Sequence, residues 1–141
     1  QDQAQWEFKL MQLIGDLEFA LGKYEPAQKQ YTEITDLYAQ LNERNDWARQ
    51  QLSALGAANE QTREVRDYAA LLRSFLAYNP DRDGFSVVRQ AENFVATYPY
   101  SLVSSSADKL VTISRQRAEK WYKELLRQVD DLVTAEQYED A

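Results

Sequence analysis

One stretch of the sequence, residues 79–90, carries residue types that could bind a metal ion. Oxygen-bearing side chains alternate along it, and Gly84 lies where a calcium-binding loop makes its sharp turn. Three residues differ from the calcium-loop pattern. Asn79 replaces the leading Asp, Pro80 stiffens the entry to the loop, and Gln90 replaces the closing bidentate Glu. We therefore expect a turn between two helices, in which Asp81 or Asp83 caps the helix that follows, over residues 85–98. A calcium-responsive helical module is the weaker alternative.

A second motif, Ser106 followed by Lys109, has the Ser-x-x-Lys spacing of acyl-transfer enzymes. The partner motifs of those enzymes are missing, so we expect the match to be a coincidence. Paired carboxylates such as Asp130 and Asp131 lie in polar helical stretches, where exposure to solvent explains them. The sequence has no histidine and no cysteine, which excludes imidazole-based zinc sites, thiolate chemistry and disulfides. We expect no enzymatic activity, no cofactor and no metal site.

The charge of the chain indicates which classes of partner it can bind. A net charge of −7 disfavours nucleic acid, which requires a cationic face. No apolar run approaches the ~18 residues that cross a bilayer. Five basic residues of the last predicted helix are interleaved with Glu119 and Glu124, which is typical of a solvated, ion-paired face: Arg115, Arg117, Lys120, Lys123 and Arg127. We expect a protein or peptide partner, no nucleic acid and no membrane insertion.

Composition and hydrophobic spacing predict an all-α fold. Gly and Pro are scarce, at four and three residues, and 44% of the 141 residues are hydrophobic. In the first helix, apolar residues recur three and four apart on one face, of the kind that is buried in most helical proteins: Trp6, Leu10, Leu13, Ile14, Leu17 and Leu21. Gly22 ends this helix, and Pro26 fits the first turn of the next. Later helices are predicted over residues 65–76 and 85–98, and from Ser101 to Leu132.

The length of the second helix is open from the sequence. Apolar residues continue three and four apart to Leu55, and no Gly or Pro interrupts them after Ala27. One long helix ending at Gly56 therefore competes with two helices separated around residues 42–46. We favour the long helix, in which Asn45 would lie on the apolar seam and fix its register. Residues 56–59 are expected to close this element.

The spacing of five residues within 11–41 resembles a known repeat: Gly15, Gly22, Tyr24, Ala27 and Tyr31. It is similar to the tetratricopeptide repeat (TPR) family, whose repeat of ~34 residues is a pair of antiparallel helices. The resemblance implies that Gly15 lets the second helix pack closely, that Gly22 makes the turn, and that Ala27 and Tyr31 form the packing face. It implies antiparallel helical hairpins stacked as a right-handed solenoid.

The end of the chain resembles part of a second repeat. Four positions match the first copy, whereas Val129 and Glu136 replace its two glycines: Leu125, Leu132, Tyr138 and Ala141. The resemblance implies a turn near Glu136 and a new helix after it. We expect residues 1–141 to form one all-helical domain that is a fragment of a longer repeat protein.

The segment 94–101, Phe-Val-Ala-Thr-Tyr-Pro-Tyr-Ser, carries a second resemblance. It is similar to a helix ending that is frequent in bacterial envelope repeat proteins, including the assembly-lipoprotein and Tol-Pal coordinator families. This resemblance favours the periplasm or cell envelope over the cytoplasm.

The TPR resemblance implies a non-enzymatic scaffold that binds a peptide or protein in a concave groove. First-helix side chains would line this groove, with Phe19 as the apolar anchor and three others setting orientation and charge: Lys9, Gln12 and Asp16. Two alternatives stay open. Phe19 is equally well explained by burial against a neighbouring helix, and an ordinary helical bundle explains the apolar stripes. A different function is oligomerisation, in which the seam from Tyr24 to Leu55 pairs with another chain as a coiled coil.

Overall fold

The structure, a computed structural model, describes residues 2–57 and 62–140. In these ranges the chain forms seven helices and no strand: α1 (Asp2–Ala20), α2 (Tyr24–Leu37), α3 (Asn42–Ala57), α4 (Arg63–Leu76), α5 (Pro80–Asp83), α6 (Ser86–Thr97) and α7 (Ser104–Asp140). The predicted all-α class is confirmed. Within the same ranges, no helix is both long enough and apolar enough to cross a membrane. The expected ending at Ala58 and Asn59, and the match at Ala141, lie outside the described residues.

Helices α1 and α2 form the predicted hairpin. Gly22 turns the chain with a φ of 77°, in the left-handed region that glycine adopts readily. Gly15 faces α2, and a Cβ built on it would lie 2.8 Å from Cε1 of Tyr31. Tyr31 is fully buried, as is Ala27 on the same helix. Close contact at a glycine therefore brings the first two helices together, as the spacing predicts.

The prediction of one long helix from residue 24 to 56 is wrong. Helix α2 ends at Leu37 and α3 begins at Asn42, although no Gly or Pro lies between them. Asn45 explains the break, because its Nδ2 donates hydrogen bonds to the backbone oxygens of Tyr38 at 2.7 Å and Ala39 at 3.3 Å. These carbonyls follow the last turn of α2 and lack helical partners. The Tyr38 carbonyl also accepts a turn hydrogen bond from the Leu41 N–H at 2.9 Å. Asn45 thus stabilises a loop instead of fixing the register of a seam.

The predicted turn near Glu136 is also absent from the structure. Helix α7 runs without interruption from Ser104 to Asp140. Val129 and Glu136, which replace the two repeat glycines, both lie inside it. Without a residue that favours a positive φ at Glu136, and with helix-forming Ala and Glu nearby, the helix continues.

The six longer helices pack around one core. Helix α1 contacts α2 and α4, α2 contacts α3, α3 contacts α7, α7 contacts α6, and α6 contacts α4, so the contacts among the described residues close a ring. The core contains buried side chains from all six helices. Tyr68 of α4 lies near its centre, with its ring 5.4 Å from Phe19 of α1 and 5.5 Å from Phe94 of α6. The ring places α4 against the side of α1 that the repeat resemblance assigns to the groove.

Candidate functional site

The four residues predicted to line a groove do not share an accessible surface. Lys9 is exposed and Gln12 is half-buried, but Asp16 is only 7% exposed and Phe19 is fully buried. The Phe19 ring packs edge-on against Tyr24 at 5.8 Å and Tyr68 at 5.4 Å. The expectation that Phe19 anchors a partner is therefore corrected in favour of its alternative, burial against a neighbouring helix. A partner-binding role for Lys9 and Gln12 stays a prediction.

Asp16 is the centre of a buried polar network that joins three helices. Its Oδ1 accepts hydrogen bonds from the Tyr31 hydroxyl at 2.5 Å and from Nε1 of Trp47 at 2.8 Å. Burial raises the pKa of Asp16 to about 6, although both hydrogen bonds oppose the shift. Burial, followed by the nearby Asp16 charge, also raises the pKa of Tyr31. The Asp16 carboxyl holds α1, α2 and α3 together rather than setting the charge of a groove.

The exposed apolar surface of α1 lies on the opposite side of the helix. Six large apolar side chains, each 38–74% exposed, form a stripe that we name the α1 outer face: Trp6, Leu10, Leu13, Ile14, Leu17 and Leu21. The sequence predicts that this stripe is buried, and the prediction is wrong for the described chain. The close approach of Tyr31 to Gly15 turns the other side of α1 toward the core.

The α1 outer face is the candidate functional site, because contiguous apolar surface of this kind marks interaction sites. Its side chains recur three and four residues apart, which is the spacing that accommodates the apolar side of a second helix. Exposed charges flank the stripe, from Glu7 on one edge and Lys9 on the other. The arrangement can bury apolar area against a helical partner and orient it by charge. No reacting group is positioned on it.

The calcium-like segment folds as a turn around α5. Asn79 Oδ1 accepts a hydrogen bond from the Asp81 backbone N–H at 3.1 Å, and Asp83 Oδ2 accepts one from the Asn79 N–H at 2.9 Å. Asp83 is also paired with Arg82 at 2.8 Å, and this guanidinium lowers the pKa of the carboxyl to about 2. Helix α6 begins after Phe85 without a side-chain cap, so the expected capping by Asp81 or Asp83 is wrong. These carboxylates stabilise the turn itself.

Ser106 has a structural role. The residue is fully buried, and its hydroxyl donates a hydrogen bond to Oε1 of Gln50 at 2.6 Å. The same hydroxyl oxygen accepts one from Nε2 of Gln51 at 2.8 Å. Lys109, the second member of the predicted motif, is exposed to solvent. Ser106 therefore joins α7 to α3 and is not accessible to a substrate.

A cleft of about 500 Å³ between α5 and α7 is a second candidate site. Trp121 lines it and donates a hydrogen bond from Nε1 to Oδ1 of Asp81 at 3.2 Å. Tyr78 and Leu125 add apolar surface, and Arg117 adds a cation that lies 4.6 Å from the centre of the Phe75 ring. The cleft can hold an apolar side chain of a partner against Trp121 and Leu125, and a negatively charged group of the same partner beside Arg117. Its residues come from distant parts of the sequence, so no local motif indicates it.

No protein-family model, curated protein or solved structure matches this chain. The resemblance to the TPR family therefore depends on the residues of 11–41 themselves.

Proposed function

We propose that this chain is a non-enzymatic protein–protein interaction module that binds a helical protein or peptide partner on the α1 outer face. The observation that carries the proposal is the stripe of six exposed apolar side chains along α1. Each Å² of apolar surface removed from water contributes roughly 25 cal/mol, so covering such a stripe is a substantial driving force for association. The partner is a protein with an amphipathic helix.

The hairpin geometry supports a repeat-like version of this proposal. Gly15 against Tyr31, and Gly22 at the turn, are the features on which the TPR resemblance rests. In a stack of hairpins, each repeat covers an apolar side of its neighbour. The α1 outer face would then receive another helical element, in a right-handed solenoid. A periplasmic or envelope location is an independent proposal based on the segment 94–101.

Neither the groove predicted along the first helix nor the apolar seam predicted from Tyr24 to Leu55 is the proposed binding surface. Asp16 and Phe19 are enclosed by the packing of α2 and α4 on α1 and by the hydrogen bond from Trp47 of α3. The 24–55 seam is divided at residues 38–41, and its apolar members Tyr31, Ile34 and Ala48 are buried within the chain. A second molecule cannot pair with side chains that the core already covers.

Selection of amphipathic helical peptides from a display library tests the proposal. We expect selected peptides to bind the wild-type protein and to lose at least about tenfold in affinity when Leu13→Asp places a charge in the middle of the stripe. Leu37→Asp is a matched control, because Leu37 is a 67% exposed leucine on α2 and is not one of the six side chains of the α1 outer face. If no peptide is selected, or if both variants bind equally well, the α1 outer face is not a helix-binding site.

A further inference from the structure

The last part of α7 extends beyond the packed body. Buried residues of α7 end at Ala118, and from residue 119 to 137 every residue is exposed except the half-buried Trp121. We name residues 119–137 the α7 arm. At 1.5 Å per residue the arm is roughly 28 Å long. At the base of the arm, Trp121 and Tyr122 pack against Phe85, and Trp121 donates a hydrogen bond to Asp81. A single helix that projects beyond such contacts is marginal in water, so the apolar side of the rest of the arm requires a partner.

The α7 arm carries a coiled-coil pattern. Four side chains recur at spacings of four, three and four, and two further leucines flank them, each of the six being 40–69% exposed: Tyr122, Leu126, Val129 and Val133, with Leu125 and Leu132. Alternating spacings of four and three place one stripe along a helix that faces a second helix. The occupant of this stripe is therefore a helix that lies alongside the arm.

The charges of α7 indicate which helix this is. Within the arm, residues 119–127 contain three basic and two acidic residues, whereas residues 128–137 contain three acidic residues and no basic one. A helix whose first half is net positive and whose second half is net negative is complementary to an identical helix that runs in the opposite direction. A parallel pair would instead place the net negative second halves of the two arms side by side. Charge complementarity thus favours a second copy of this chain, in antiparallel orientation.

We propose that two copies of this chain associate through their α7 arms as an antiparallel helix pair. In the register that follows from the heptad spacing, Leu126 faces Val129 of the second copy, and Tyr122 faces Val133 of the second copy. Leu125 lies beside Leu132 of the second copy. The pair has a two-fold axis, so every contact occurs twice.

The same register pairs Lys123 with Asp130 of the second copy on both sides of the axis. Arg127 already binds Glu124 at 2.6 Å and Asp131 at 2.7 Å within its own arm. Lys123 and Asp130 form no ion pair within the part of the chain that the structure describes. They lie two helical turns apart, too far to bind each other in one molecule. Each is therefore free to select the orientation of the second copy.

The length of the arm fits this register. The two-fold axis falls between Arg127 and Gln128, at the middle of the arm, so residue 137 of one copy lies level with Ala118 of the other. The pair therefore covers the full arm and ends where each packed body begins. Glu119 and Glu136 of the second copy lie near each other at the ends of the pair, where water and salt screen like charges.

Charge exchange between two variants tests the proposal. In Lys123→Glu, and separately in Asp130→Lys, both ion pairs of the homodimer become like-charge pairs, and we expect the dissociation constant to rise by about tenfold or more. In an equimolar mixture of the two variants, each contact again joins opposite charges. The mixture should associate about as tightly as the wild type in sedimentation velocity, while each variant alone dissociates. Lys109→Glu and Asp108→Lys make the same charge changes on the exposed surface of α7 outside the arm and should leave association unchanged.

Disulfide mapping distinguishes the orientation, because the protein has no cysteine of its own. We expect Leu126→Cys mixed with Val129→Cys to give a crosslinked heterodimer under mild oxidation. Efficient crosslinking of Leu126→Cys with itself would indicate a parallel pair, and crosslinking of Leu126→Cys with Leu10→Cys would place the arm on the α1 outer face of another copy. Either result overturns the proposal, as does a wild-type protein that remains monomeric over the micromolar range. None of these outcomes depends on the peptide selection that tests the α1 outer face.

Discussion

Tyr31 packs against Gly15 so closely that the α1/α2 hairpin has no room for a side chain at that position. A Cβ on Gly15 would meet Cε1 of Tyr31 at 2.8 Å and Cζ at 3.2 Å. Tyr31 cannot move away easily, because its hydroxyl is bound to Asp16 and its ring is fully buried. The glycine therefore decides which side of α1 faces the core.

The first prediction concerns this contact. We expect Gly15→Ala to lower the free energy of unfolding by about 1–3 kcal/mol, because the new methyl group overpacks against Tyr31. Gly56→Ala is the control, since a Cβ on Gly56 meets no atom of the described residues within 4 Å and Ala favours the helix by roughly 0.5–1 kcal/mol. Urea denaturation of both variants measures the difference. Equal stabilisation of the two would show that Tyr31 does not restrict Gly15.

The second prediction compares the two sides of α1. Phe19→Ala should cost about 3–5 kcal/mol of stability, because Phe19 is fully buried. Leu13→Ala should cost less than about 1 kcal/mol, since Leu13 is 44% exposed on the α1 outer face. Thermal and urea unfolding of the two variants, at concentrations where the protein is monomeric, give the values. A larger loss at Leu13 than at Phe19 would mean that the stripe predicted from the sequence is the buried one after all.

The third prediction is a dependence on pH. Burial raises the pKa of Asp16 from 3.8 to about 6, so between these values the folded protein binds more protons than the unfolded chain. The free energy of unfolding contributed by Asp16 is therefore highest below about pH 4, falls as the pH rises to about 6, and then levels off. Asp16→Asn keeps an oxygen that can accept hydrogen bonds from Tyr31 and Trp47, and it does not ionise.

As the pH rises from about 4 to about 6, we expect Asp16→Asn to become more stable relative to the wild type. The gain in the free energy of unfolding should reach roughly 3 kcal/mol at neutral pH. Urea denaturation across a pH series measures the gain. Asp36→Asn, which removes an exposed carboxyl group from the same hairpin, should retain the wild-type dependence. If Asp16→Asn shows the same pH dependence of stability as the wild type, the buried Asp16 carboxyl is not its cause.

The fourth prediction concerns the break between α2 and α3. Asn45→Ala removes the hydrogen bonds to the carbonyls of Tyr38 and Ala39 and should destabilise the protein by about 1–3 kcal/mol. Asn93→Ala, on the exposed side of α6, is a control that we expect to stay within about 0.5 kcal/mol of the wild type. Hydrogen exchange should show faster exchange for the amides around residues 38–45 in Asn45→Ala. Unchanged exchange there would mean that other contacts hold the loop.

Local signals in the sequence were sufficient for most of the secondary structure. Gly15 and Gly22 predicted the first hairpin, and the apolar spacing predicted α4, α6 and α7, although α7 begins at Ser104 and not directly after Ser101. The break at residues 38–41 was not predictable, because it depends on a side chain that reaches back to carbonyls six and seven residues earlier. The long helix was the better prediction from the local pattern and was still wrong.

The candidate site was harder to predict, because α1 is apolar on two sides. Phe8, Met11 and Phe19 pack toward the core, whereas the α1 outer face is equally apolar but exposed. Periodicity identifies an apolar stripe without indicating what covers it. The hydrogen bond between Asp16 and Trp47 joins residues 31 positions apart, and no short motif predicts it.

The ring of helices has a consequence for how the molecule denatures. In an open stack, the terminal units can detach while the others stay folded. Here the links from Gln50 and Gln51 to Ser106 bring α7 back to α3, so the removal of any helix uncovers the common interior. The body should therefore melt in a single step, with the projecting end of α7 losing its helicity earlier.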